Sequence, residues 1–135
     1  MSVSVSLRLI VDATDCPVKA EVYRLAARHG VPVVLVSARD IGAPFEPWLT
    51  KVIAGEGAVA DTIAGEAAAP DLVITDDAEL VRKLTAKQVK ALTTRGQRWT
   101  PEGPLPSLPD RARGNSRSRF ESVLGDEIAE RLKVR

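Results

Sequence analysis

The chain has 135 residues, with 19 Lys+Arg against 18 Asp+Glu, a formal charge of +1, 44% hydrophobic residues and 27% charged residues. A chain of this size buries about two-thirds of its extended surface on folding, enough for one core but not for two independent domains. The balance of charge excludes nucleic-acid binding by bulk charge alone, the single cysteine excludes an internal disulfide, and one Cys with one His excludes zinc sites built from several such ligands.

Sixteen Val, 13 Leu, 6 Ile and 18 Ala stand against five aromatics. That composition suits buried parallel strands flanked by Ala-rich helices, and suits a multi-aromatic stacking platform poorly. No apolar run approaches the ~20 residues of a membrane span, and the opening stretch, with Arg8 inside it, is no signal-peptide core. A soluble, cytoplasmic, single-domain protein without membrane partners is expected.

Val3, Val5, Leu7, Leu9 and Val11 alternate with Ser or Arg and become continuously apolar at Leu9–Val11, which predicts a strand ending at Asp12. Asp15 and Pro17 are of N-cap and first-turn types, so a helix is expected from there to Gly30, with Val18, Val22, Leu25 and Ala26 as its apolar stripe. Val31–Val36 is a second strand, completing a βαβ unit whose default is a right-handed parallel crossover. Arg39–Trp48 reads as a loop and Lys51–Ala54 as a short strand. Val59–Ala69 reads as a helix ended by Pro70, Leu72–Thr75 as a buried strand running into Asp76 and Asp77, Glu79–Leu84 as a short helix and Val89–Leu92 as a last strand. Four prolines between Pro101 and Pro109 predict an extended tether, and Arg111–Arg119 holds four arginines and no acid. Phe120, Val123, Leu124, Ile128 and Leu132 recover helical spacing. The expected organisation is an α/β core over 1–100, a Pro/Arg-rich loop over 101–119 and a helix over 120–135 that packs on the same domain.

The acids fall where strands end. In an open parallel sheet the strand C-termini share one edge, and ligands bind there at the point where strand order reverses. Asp12 and Asp77 are therefore expected on one rim, close enough to share a metal or a bridging water. Crowded carboxylates repel unless a cation joins them, and hard oxygens suit Mg²⁺ or Mn²⁺. Taken singly, an Asp between a strand and a helix is equally an N-cap. Cys16 and His29 read as a small buried residue and a cation near a helix C-terminus. From Leu80 to Pro101 there are six basic residues and no acid. Such cations suit phosphate contacts, and equally a solvated basic face.

Val11-Asp12-Ala13-Thr14-Asp15-Cys16-Pro17-Val18-Lys19 resembles the N-terminal signature of the YaiI/YqxD family of bacterial proteins of unknown function. Val59-Ala60-Asp61, Asp71–Thr75 with Asp77, Arg95-Gly96 with Trp99-Thr100, and Phe120 with Leu124 extend the resemblance in order over nearly the whole chain. The family is similar in fold to PIN-like nucleases, whose Thr-x-Asp after a central strand looks like Thr75-Asp76-Asp77. The resemblance implies a small three-layer α/β sandwich with a mainly parallel sheet. It also implies an acidic set of Asp12, Asp61 and Asp77, with Asp15 as a further ligand, holding Mg²⁺ or Mn²⁺ for phosphodiester hydrolysis, RNA being the expected substrate. Lys19, Arg95 and Arg98 are the expected phosphate contacts. The chain departs from the family at Thr14, where the family has aspartate, at Asp15, where it has alanine, and at Ala38, where it has asparagine. The helix after Asp61 is one residue short. Loss of the Thr14 carboxylate supports the alternative of a non-catalytic nucleic-acid- or protein-binding module. A phosphatase of haloacid-dehalogenase type, with Asp12 as nucleophile, would need a cap domain and a suitably placed lysine, and only Lys19 and Lys51 intervene between the acids.

Overall fold

A computed structural model describes residues 7–105 and 116–133. Its centre is a five-stranded, wholly parallel sheet: β1 (Leu9–Asp12), β2 (Val33–Ser37), β3 (Leu49–Ile53), β4 (Leu72–Ile74) and β5 (Lys90–Leu92), in the order β3-β2-β1-β4-β5. The chain starts in the middle, steps outward through β2 to β3, then returns to the other side of β1. Strand order thus reverses between β1 and β4, whose register pairs Val11 with Ile74. That crossing point lies at the carboxyl edge beside Asp12.

Alternation along the strands explains the layers. Leu9 and Val11 point to one face and Ile10 to the other, all fully buried, because a strand sheathed on both sides has no polar face to show. On the first face lie α1 (Lys19–His29) and α4 (Ser116–Lys133), which bury Val22, Leu25 and Ala26, and Phe120, Leu124 and Ile128. On the second lie α2 (Val59–Glu66) and α3 (Ala78–Ala86), which bury Val59 and Ile63, and Leu80, Val81 and Leu84. The expected three-layer α/β sandwich is present. The amino edge is tied by Arg8, whose Nη2 donates to Asp71 Oδ2 at 2.8 Å, and by Arg131 Nη1, which donates to the carbonyl of Pro70.

The ends of β2, β3, α2, β4, α3 and β5 shift by one to three residues from the expectation, α2 ending at Glu66 rather than Ala69. Three further differences have a structural cause. Helix α1 begins at Lys19 rather than at the Asp15–Pro17 step. Ala13–Asp15 instead form one 3₁₀ turn capped by Asp12, and Cys16 is extended (ψ 108°), as the residue before a proline tends to be. Extended backbone there separates the turn from the helix. The tether expected from Pro101 is in part a hairpin: β6 (Trp99–Thr100) pairs with β7 (Gly103–Pro104). Pro101 and Glu102 occupy its turn, and Pro104 sits on a sheet margin where its missing N–H costs little. Helix α4 starts at Ser116, ahead of the expected Phe120. The remainder of the loop, 106–115, and the first part of the N-terminal strand, Val3 and Val5, lie outside the described residues.

Gly96 is where the rim meets α4. Its φ is +83°, and a Cβ there would come within 2.9 Å of Phe120 Cα and 3.1 Å of the Arg119 carbonyl oxygen. Gly30, the αL cap of α1, has φ +67° and open space around it. Gly30→Ala is expected to cost about 1–2 kcal/mol from backbone strain alone. Gly96→Ala adds a collision with backbone and should lower the urea midpoint further; equal losses in the two variants would contradict the close approach.

Candidate functional site

The register that sets Val11 beside Ile74 brings Asp12 to Thr75, and the two are joined directly: Thr75 Oγ1 donates to Asp12 Oδ2 at 2.8 Å. The same hydroxyl accepts the backbone N–H of Asp77 at 3.0 Å, so Asp12 and Asp77 hang on one buried threonine. Asp12 Oδ1 accepts the N–H of Thr14 at 3.2 Å. Asp77 Oδ1 accepts from the N–H groups of Glu79 and Leu80, capping α3, whose dipole favours a negative charge at that end. The cap reading and the rim reading of Asp77 are therefore compatible: one oxygen caps the helix.

Asp76 completes the rim. Its two oxygens accept from Thr94 N–H (2.8 Å) and Thr94 Oγ1 (2.7 Å), across the β4–β5 boundary. Asp12, Thr14, Asp76, Asp77 and Thr94 line an open cleft of about 310 Å³, a lining of carboxylates and hydroxyls without a cationic side chain. Among the described residues, no three His, Cys, Asp or Glu side chains converge closely enough to cage a metal ion.

The other expected site residues are dispersed. Asp61 stands in the first turn of α2 and pairs with Lys83 of α3 at 2.8 Å, both exposed, outside the cleft lining. The Lys83 ammonium holds the Asp61 carboxyl below the usual aspartate range and is itself raised by that pairing, with a smaller contribution from the charge of Asp77. Asp15 ends the 3₁₀ turn that follows Asp12. Lys19 opens α1, within electrostatic reach of Cys16, as are Asp12 and Asp76. Arg95 is exposed immediately after Thr94, whereas Arg98 is engaged by Glu127 of α4. Cys16 is buried, and desolvation pushes its thiol up despite an opposing hydrogen bond from the Val18 backbone, which fits the small buried residue expected.

Two partners at the rim were not legible beforehand. Thr94 gives no sequence signal as the clamp on Asp76. The indole Nε1 of Trp99 donates to the Thr75 carbonyl at 2.9 Å, bringing the hairpin to the site; the Arg-Gly…Trp-Thr segment is the one hint.

A family model described as an uncharacterized YaiI/YqxD family matches residues 10–122. Similar proteins include a UPF0178 protein of Rhodopseudomonas palustris (strain BisB18), 39% identical over 92 residues, 67% of this chain and 59% of that protein. A UPF0178 protein of Gluconobacter oxydans is 42% identical over 92 residues, 67% of this chain and 53% of that one. One from Bradyrhizobium sp. (strain ORS 278) is 39% identical over 98 residues, covering 71% and 60%. The matched stretch is thus less than two-thirds of each relative's length, and these names state no activity. No solved structure matches. No helix among the described residues is long and apolar enough to cross a membrane.

Thr75→Val keeps the shape of the side chain but removes its donor and acceptor, leaving Asp12 Oδ2 and the Asp77 N–H each short of a partner. A loss of about 1–3 kcal/mol is expected in urea denaturation, with Thr75→Ser close to wild type. Equal stability of the Val and Ser variants would show that the shared hydroxyl does not hold the rim.

Proposed function

The chain belongs to the uncharacterised YaiI/YqxD family, and from the rim it carries we propose that it is a divalent-metal-dependent nuclease, hydrolysing phosphodiester bonds of RNA. The observation that carries this reading is the pairing of Asp12 and Asp77 through Thr75 at the mouth of an oxygen-lined cleft, where strand order reverses.

The donor chemistry fits Mg²⁺ or Mn²⁺: the lining offers only carboxylate and hydroxyl oxygens, and Mg²⁺ accepts one or two carboxylates and keeps water in its remaining positions. Asp12 and Asp77 would hold the ion, with Asp76 held back by Thr94 as a fixed negative charge beside it. Bound there, such an ion supplies an activated water and neutralises charge developing on phosphate oxygens. The residues of the chain do the positioning. Thr75 orients one Asp12 oxygen, and the capping bonds orient Asp77. Arg95, in the loop after β5, and Lys19, at the start of α1, would supply the phosphate contacts. Asp61 and Arg98 pair with Lys83 and Glu127 in partly or fully exposed ion pairs and are left outside this reading.

Thr14 favours a second reading. It lines the cleft at the position where the resembling family has an acid, so a non-catalytic nucleic-acid-binding module that retains the fold is the alternative.

Cleavage of single-stranded RNA titrated with Mg²⁺ or Mn²⁺ tests both. Asp12→Asn and Asp77→Asn should each lose at least about 100-fold in rate, since an ion's stabilisation of several kcal/mol is at stake and each 1.4 kcal/mol is tenfold. Thermal melts should stay near wild type, because Asn caps about as well as Asp. Thr14→Asp should raise activity or metal affinity, and Asp61→Asn should leave cleavage intact. Tight Mn²⁺ binding with no turnover on RNA or DNA would favour the binding module, and Asn variants as active as wild type would reduce both acids to helix caps.

A further inference from the structure

Beside the rim, on the α2/α3 face of the sheet, a groove separates α3 from the β6–β7 hairpin. It consists of two adjoining hollows of about 250 and 290 Å³ that share Val81, Thr85, Trp99, Thr100 and Pro101. One hollow reaches Ala78, the residue after Asp77, and the other reaches Lys90 at the start of β5. Each is smaller than the ~300–1,000 Å³ typical of pockets for drug-sized ligands, so the groove suits single planar rings rather than an extended cofactor.

We propose that this groove is a nucleobase subsite, in which the half-buried indole of Trp99 stacks a base of a single strand whose backbone runs on to the acidic rim. The inference rests on the nucleic-acid reading above and specifies that the substrate is single-stranded. Trp99 is fixed in place because its Nε1 donates to the Thr75 carbonyl, the residue whose hydroxyl holds Asp12. A ring already tethered loses little freedom when a base stacks on it. The walls are apolar at Val81 and Pro101, and the hydroxyls of Thr85 and Thr100, which donate to the carbonyls of Val81 and Gly103, leave oxygen acceptors for the donor edge of a base. Charge on the margins is complementary to phosphate: Arg82 lines the hollow nearer the rim and Lys90 the farther one, with Glu102 as the one acid in either lining. Arg82 makes only an exposed 3.6 Å pair with Glu79, and Lys90 makes no ion pair among the described residues, so both remain available to phosphates. The scarcity of aromatics in the chain argued against a platform for many bases; one anchored ring serves one base, and every base has a face to stack.

The test is run in EDTA, which separates binding from hydrolysis. Binding of a fluorescein-labelled ten-nucleotide oligo-U is followed by anisotropy. Trp99 emission is read in a Trp48→Phe chain, in which Trp99 is the sole tryptophan, using unlabelled oligo-U, oligo-dT and an abasic oligomer of the same length. Oligo-U and oligo-dT should quench Trp99, whereas the abasic strand, which presents phosphates without bases, should not. Thr85→Phe fills the groove from an exposed helix position away from the rim, and should weaken oligo-U binding about tenfold, the size of one lost base stack. Its thermal melt is compared with wild type so that misfolding is not read as lost affinity. Oligo-U binding without Trp99 quenching, or equal quenching by the abasic strand, would overturn the subsite and leave the nuclease reading in place. Loss of RNA cleavage activity in the Asp77→Asn chain with quenching retained would support the two as separate parts. Absence of oligonucleotide binding in EDTA would overturn the subsite, while the nuclease reading stands or falls on the metal-titrated cleavage assay.

Discussion

Thr75 is the residue on which the carboxyl edge of this sheet depends. Its N–H donates to the Leu92 carbonyl of β5, its own carbonyl accepts the Trp99 indole, its hydroxyl donates to Asp12 at the end of β1, and the same oxygen accepts the Asp77 N–H ahead of α3. Four hydrogen bonds from one buried side chain and its peptide units join a central strand, an edge strand, a helix start and the hairpin. Buried hydrogen bonds of this kind are worth little singly, but each group left without its partner costs more than the bond contributes. The network is therefore held as a unit, and the acids it carries are presented to solvent in a fixed arrangement.

That arrangement concentrates negative charge without burying it. Each rim carboxylate is offset locally, Asp77 by the α3 N-terminus, Asp76 by the Thr94 hydroxyl and N–H, and Asp12 by Thr75 and the Thr14 N–H. Three acids thus line one cleft with no cationic side chain in its lining. Three cations are paired elsewhere: Lys83 with Asp61, Arg98 with Glu127 and Arg8 with Asp71. The proposed cation site rests on this cleft, whose lining offers carboxylates and no cationic side chain.

The two faces of the sheet divide the labour. The α1/α4 face holds the large fully buried side chains Phe120, Leu124 and Ile128, and the approach of α4 to Gly96 ties that layer to the loop after β5. The α2/α3 face buries Ile63, Leu80 and Leu84 as completely, and the hairpin at Trp99 meets it across a groove. The groove begins at Ala78, next in the chain to Asp77 of the rim.

Most of the architecture was legible in the chain itself. Continuous aliphatic runs at Leu9–Val11, Val31–Val36 and Leu72–Ile74 can only be strands covered on both faces, and the stripes at Val22/Leu25/Ala26 and Phe120/Leu124/Ile128 have only a helical period. Such patterns are local, so sequence alone determines them, together with the placing of Asp12 and Asp77 at strand ends. Tertiary structure decided what depends on register and on distance along the chain. The pairing of β1 with β4 placed Asp12 against Thr75, 63 residues away, and 22 residues separate Asp61 from the Lys83 that draws it aside. Asp76 and Thr94, and Trp99 and Thr75, meet only because β5 lies beside β4 and the hairpin folds back on it. Backbone chemistry at Pro17 moved the start of α1 by extending Cys16, and the Pro101–Gly103 turn made a hairpin where prolines alone suggested a tether. Periodicity reports which face a residue takes; only the closed sheet determines which residue stands opposite it.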